Sequence, residues 1–151
     1  MKIKWGRLIS AIALCQLAGI IGSAFTFSAI PTWFATLTKP SFSPPNYLFG
    51  PVWIILYTLM GISLYLVWGK KKAVSLFLIQ LAVNAGWSIV FFGFKNIGLA
   101  LVVILVLWVL IVKTIWQFFR INKTASYLLI PYLIWVSFAT VLNFSLYLLN
   151  R

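Results

Sequence analysis

Trp33-Phe34-Ala35-Thr36-Leu37-Thr38-Lys39-Pro40, then Ser41-Phe42-Ser43-Pro44-Pro45-Asn46, then Tyr47-Leu48-Phe49-Gly50-Pro51-Val52-Trp53, running through Leu56-Tyr57 to Met60-Gly61, is the stretch on which the rest of the chain turns. Proline fixes φ and restricts the residue before it, so Pro40, Pro44 and Pro45 predict a stiff, extended connector that can be held in place as a lid. The apolar run that leaves it, Tyr47 to Trp68, is long enough to cross a bilayer. Asn46 is positioned as its N-cap, and Pro51 falls just after its first turn, where a bend is expected.

Outside this stretch the chain is equally apolar. Of its 151 residues 64% are hydrophobic and 8% charged, with a mean hydropathy of +1.09; a soluble domain carries roughly 25% charged residues. Lipid cannot satisfy backbone polar groups, so each long apolar run has to be a helix. The expectation is an all-α integral membrane protein, a bundle of five transmembrane helices. The spans are about 8–27, 47–68, 74–94, 98–119 and 125–149, the lid loop is about 28–46, and the whole of 1–151 is a single transmembrane domain. A cleavable signal peptide competes for the start, with small residues at Gly22-Ser23-Ala24. The apolar run continues through Phe27, however, which is longer than an h-region.

The net charge of +12 arises without any Asp, Glu or His. Nucleic acid could be inferred from it, but the placement of the cations argues against that partner and for the lipid bilayer. Lys2, Lys4, Arg7, Lys70, Lys71, Lys72, Arg120, Lys123 and a snorkelling Lys113 fall on one side of a five-span topology, and Lys39, Lys95 and Arg151 on the other. The positive-inside rule then makes the N-terminus cytoplasmic and puts the C-terminus and lid outside, as in a bacterial plasma membrane.

Along the first span, Ala11, Cys15, Gly19 and Ser23 recur at i+4, with Ala18, Gly22 and Thr26 in a parallel row. Small residues at that spacing read as close helix packing. The third span carries Gln80, Asn84 and Ser88 at i+4 steps. An amide in mid-membrane must meet a partner, which leaves two readings open, an interhelical hydrogen bond or a ligand contact. Ala82 and Gly86 lie on another face, suited to a neighbouring helix or a second subunit. Aromatics at Trp108, Trp116, Phe118 and Phe119 near Lys113 and Arg120 read as an interfacial anchor. In the fifth span Trp135, Ala139, Leu142 and Asn143 share a face, and Ala139 beside Trp135 leaves room for something flat.

The absent residue types exclude a good deal of chemistry. Without carboxylate or imidazole there is no conventional general acid-base pair, no Ser-His-Asp arrangement and no carboxylate or histidine metal site. No metal and no cofactor is expected. Cys15 stands alone, so no intramolecular disulfide can form. What remains suits a flat apolar ligand, with aromatic faces for stacking and a few amides and hydroxyls for orientation.

Three blocks carry a resemblance to a known family. They are W-F-x-x-L-x-K-P…P-P-x-x-x-F-x-P-V-W-x-x-L-Y-x-x-M-G from Trp33 to Gly61, then Gln80-Leu81-Ala82-Val83-Asn84-Ala85-Gly86-Trp87-Ser88 with Phe91-Phe92-Gly93, and Pro131-Tyr132-Leu133-Ile134-Trp135 with Phe138-Ala139 and Leu142-Asn143. In these the chain resembles the tryptophan-rich sensory proteins, also called translocator proteins or peripheral-type benzodiazepine receptors. The resemblance implies a five-helix membrane receptor or sensor, often a homodimer. Its ligands would be porphyrins and other flat apolar molecules, with sterols in some members, bound beneath the first loop and either transported or sequestered. It implies ligand contacts at Trp33, Pro40, Trp53, Tyr57, Asn84, Trp87, Phe91, Trp135, Ala139 and Leu142. An alternative implied by some members is light- and oxygen-dependent porphyrin degradation, for which Trp53 and Trp135 are the candidate catalytic residues. The family's sterol motif survives as Leu142, Tyr147 and Arg151, and the residue after the loop tryptophan, often tyrosine in the family, is Phe34.

Overall fold

The computed structural model describes residues 2–151. Five helical stretches long and apolar enough to cross a membrane follow one another, and no strand occurs among the described residues. They are α1 (Trp5–Ala29), α2 (Phe49–Leu66), α3 (Lys71–Ser88), α4 (Ile97–Phe119) and a last span made of a short α5 (Lys123–Tyr127) and α6 (Ile130–Leu149). The bundle is a ring in which α1 packs against α2 and α3, α4 against α3 and α6, and α6 meets α2 only sparsely.

Local chemistry sets the breaks between elements. The last span, expected as one helix, is interrupted at Leu128–Leu129, because Pro131 sits in the first turn of α6, where a missing N–H costs nothing. Pro51 likewise falls in the first turn of α2 and breaks nothing. Asn46 does not cap α2. It enters a 3-10 turn, Asn46–Leu48, that has no side-chain cap. The asparagine caps are Asn96, whose Oδ1 accepts from the Leu99 N–H at 2.9 Å, and Asn122, whose Oδ1 accepts from the Ala125 N–H at 3.0 Å.

In lipid, close backbone approach and dispersion replace the hydrophobic drive that holds soluble helices together. The small residues of α1 serve this, with Ala11, Cys15, Ala18 and Gly22 buried. A Cβ on Gly61 would lie 2.5 Å from the Ile12 Cα, so α1 and α2 touch backbone to backbone there. Toward the N-terminal end the centre is filled by Met60, Leu64, Phe77, Ile111 and Phe118, with Phe77 stacked on Phe118 at 6.0 Å. Ala82 is exposed and a side chain on Gly86 would meet open space, so this face of α3 is not used within the chain.

Candidate functional site

Beyond the packed end the bundle opens into a cavity of about 430 Å³, bounded by α1, α2, the end of α3, and α6. Its size falls in the usual range for small-molecule sites. Of the residues expected to contact ligand, Trp53, Tyr57, Trp87, Phe91, Trp135, Ala139 and Leu142 line it. Trp33, Pro40 and Asn84 do not, and each has a different place.

Trp33 stands behind the wall, edge-on to Phe91 at 5.6 Å. Pro40 belongs to the loop that crosses over the cavity end of the bundle. This loop is clamped to the end of α6, where the Thr38 N–H donates to Asn150 Oδ1 (2.8 Å) and Asn150 Nδ2 donates to the Thr38 carbonyl (2.9 Å). Phe42 meets Phe138 edge-on at 6.2 Å, and buried Phe34 packs on Phe91 and Phe92 with the Lys39 ammonium 4.7 Å above its ring. The position that is often tyrosine in the resembled family is therefore inside an aromatic cluster that a phenyl ring fills.

Asn84 lies beneath the cavity, where it makes interhelical hydrogen bonds. Its Oδ1 accepts from the Tyr57 hydroxyl, and its Nδ2 donates to the Tyr132 hydroxyl at 2.9 Å. Tyr132 in turn donates to Gln80 Oε1 at 2.9 Å. Both amides thus serve interhelical hydrogen bonds, joining α2, α3 and α6 in one buried chain. Gln80 Nε2 ends that chain without a partner among the described residues. Tyr57 stacks under Trp53 at 5.3 Å, so the network fixes the ring that floors the cavity.

A π turn at Ile89–Gly93 ends α3. Such wide turns add a residue per turn and are frequent at functional sites. Here the turn delivers both Phe91 and Phe92 to the cavity wall, 4.7 Å apart. Trp87 stacks on Phe91 at 5.1 Å and donates its Nε1–H to Asn143 Oδ1 at 3.0 Å. On the facing wall Trp135 meets Phe49 edge-on at 6.2 Å.

The sequence reading gave α1 a packing role only, yet Gln16, Gly19, Ile20 and Ser23 complete the wall. A Cβ on Gly19 would lie 2.5 Å from the Tyr57 ring, so this glycine lets Tyr57 lie flat. Gln16 Nε2 donates to the Ile54 carbonyl and to Thr58 Oγ1, both at 3.0 Å. A polar side chain inside the first span was the signal available for it. The three sterol-motif residues fall in different places, with Leu142 in the cavity wall, Tyr147 on the outer face against Gly98, and Arg151 exposed beyond α6.

No group of three or more potential His, Cys, Asp or Glu metal ligands occurs among the described residues. The cavity offers aromatic faces, the three amides of Gln16, Asn46 and Asn143 and a few hydroxyls, and hence shape, stacking and hydrogen bonding.

Comparison with known proteins gives the same architecture a lineage. The profile of the TspO/MBR family matches residues 11–148. The chain is 47% identical to the tryptophan-rich protein TspO of Chlorobaculum tepidum, over 95% of each chain. It is 35% identical to the tryptophan-rich sensory protein of Cereibacter sphaeroides, over 99% of this chain and 95% of the relative. With the human translocator protein the identity is 38%, over 95% of this chain and 90% of the relative. This chain belongs to the TspO/MBR family, and that membership supports a membrane receptor or sensor role.

Proposed function

We propose that the protein is a membrane receptor or sensor for porphyrins and similarly flat apolar molecules, with transport or sequestration as the consequence of binding. The observation that carries this reading is the tryptophan-walled cavity, with Trp53, Trp87 and Trp135 around about 430 Å³ beneath a clamped loop. Tetrapyrroles present broad faces for stacking, and each good aromatic contact contributes about 0.5–1.5 kcal/mol beyond area burial. Ala139 beside Trp135 keeps a flat slot open, and the amides of Gln16 and Asn46 in the cavity wall are placed to orient a ligand's polar edge. A sterol is favoured less, because Leu142, Tyr147 and Arg151 do not share a surface. The charge asymmetry supports a cytoplasmic N-terminus in a bacterial plasma membrane, and the unused Ala82–Gly86 face supports a homodimer.

The test is quenching of intrinsic tryptophan fluorescence by protoporphyrin in detergent or nanodiscs. Saturable binding is expected, weakened about fivefold or more by Trp135→Phe and by Ala139→Leu. Unchanged affinity in both variants removes the pocket assignment. The second reading is oxidative breakdown of bound porphyrin by dioxygen under light, and the observation in its favour is the location of Trp53 and Trp135 in the wall. It predicts a product whose rate of appearance drops in Trp53→Phe and Trp135→Phe and exceeds that with free tryptophan.

A further inference from the structure

The opposite end of the bundle holds a second concavity, about 210 Å³, lined by Lys2, Lys4, Arg7, Tyr65, Trp68 and Asn122 among others. It is distinct from the ligand cavity and shares no residue with it. Three cations converge there in a chain that contains no Asp and no Glu, so no acidic side chain can neutralise them. Three of the other cations lie over aromatic faces, Arg120 over Trp116 at 3.8 Å, Lys123 over Phe119 at 5.5 Å and Lys39 over Phe34 at 4.7 Å. Among the described residues, Lys2, Lys4 and Arg7 sit over no ring.

The last turn of α2 reaches the cleft through Tyr65 and Leu66, so the acceptors there are main-chain carbonyls and not charged groups. α1 begins at Trp5 with no side-chain cap, which leaves the positive end of a 25-residue helix at the cleft wall. The Lys4 N–H donates to the Tyr65 hydroxyl at 3.0 Å, tying this segment to the end of α2. Asn122 Oδ1 accepts from the Ala125 N–H, and its Nδ2 is a donor without a protein partner among the described residues. Tyr65 and Trp68 are residues of the membrane–water boundary, which puts the concavity at headgroup depth.

We propose that this cleft is a binding site for a phosphate group, filled by the headgroup of an anionic phospholipid. Arg7 supplies a forked contact to two phosphate oxygens, Lys2 and Lys4 supply point charges, and the start of α1 adds its dipole. Trp68 and Leu66 receive the glycerol and upper acyl carbons.

The experiment uses the purified, delipidated full chain. Native mass spectrometry follows titration with phosphatidylglycerol, with phosphatidylcholine and with inorganic phosphate as competitor. Two triple variants remove the same charge from the same end of the bundle, Lys2→Gln/Lys4→Gln/Arg7→Gln inside the cleft and Lys70→Gln/Lys71→Gln/Lys72→Gln outside it. One phosphatidylglycerol is expected to bind at least tenfold more tightly than phosphatidylcholine. The cleft triple should weaken it about fivefold per cation, on the order of a hundredfold in all, and the outer triple less than about threefold. Arg7→Lys keeps the charge, loses the fork, and should cost a few-fold. Equal weakening by the two triples overturns the site, as does the absence of a saturable single lipid. Tight inorganic phosphate that displaces the lipid, lost in the cleft triple, upholds the phosphate chemistry and overturns the lipid as its source.

Discussion

The half of the bundle beneath the loop is hollow and the half toward the N-terminus is filled, although both are built from the same apolar residue types. In the filled half Phe77 lies on Phe118 and the space between helices is taken up by Met60, Leu64 and Ile111. In the hollow half stacked pairs, Trp53 on Tyr57 and Trp87 on Phe91, and the edge-on pair of Trp135 and Phe49 stand around open volume. The buried chain Tyr57–Asn84–Tyr132–Gln80 runs between the two. Lipid tails are as apolar as leucine, so a void gains nothing from the hydrophobic effect. Its walls must be held by hydrogen bonds, by ring geometry and by a cap, and those features are concentrated at one end of the molecule.

The largest effect expected from this contrast comes from truncation in the filled half. Phe77→Ala should destabilise the protein by about 2 kcal/mol, the cavity contribution alone, because unfolding into lipid removes most of the water-transfer contribution. The same truncation in the hollow half, Phe49→Ala, adds space beside space already present and should cost less than about 1 kcal/mol. Equilibrium unfolding in mixed micelles measures both. Equal losses would mean that the two halves are packed alike and that the cavity is not held open.

A smaller effect tests the layer between the halves. Asn84→Leu leaves the Tyr57 hydroxyl buried with no acceptor and should cost about 1–2 kcal/mol, since an orphaned polar group loses more than one hydrogen bond contributes. Adding Tyr57→Phe removes the orphan and should recover most of the loss. A double variant no more stable than the single would show that Asn84 acts by packing, and the polar chain would then not be what supports the floor.

The five spans were readable in the chain because they follow from hydropathy, length and the cost of bare backbone in lipid. Much of the cavity was readable as well. Of the contacts implied by the family resemblance, Trp53, Tyr57, Trp87, Phe91, Trp135, Ala139 and Leu142 reach the wall. Less readable was anything that depends on where two distant segments meet. Gly19 and Ser23 sit in a row whose lower members, Ala11 and Cys15, are packed, and periodicity alone does not mark where close packing gives way to space. The π turn at Ile89–Gly93 changes the angular step that such spacing assumes, so Phe92 joins Phe91 on the wall. Asn84 has the same spacing whether it faces a ligand or two tyrosines on other helices. Asn46 looked like a cap by residue type, and only the 3-10 turn that absorbs it shows otherwise.

The smallest effect concerns the cap itself. Asn150 holds the loop through the two bonds to Thr38, and its Nδ2 also reaches the Leu146 carbonyl at 2.8 Å, which fixes the amide on the end of α6. Asn150→Ala removes these bonds at a half-buried position, where a net contribution of about 1 kcal/mol is expected. The packed half does not depend on them, so the unfolding midpoint should hardly move. The rate at which bound porphyrin leaves should rise about fivefold, because the loop is then held over the cavity by ring contacts such as those of Trp33, Phe34 and Phe42. Stopped-flow recovery of tryptophan fluorescence after dilution reads that rate. If release were unchanged while Ala139→Leu still weakened binding, the loop would be a passive rim and the route out of the cavity would run between helices.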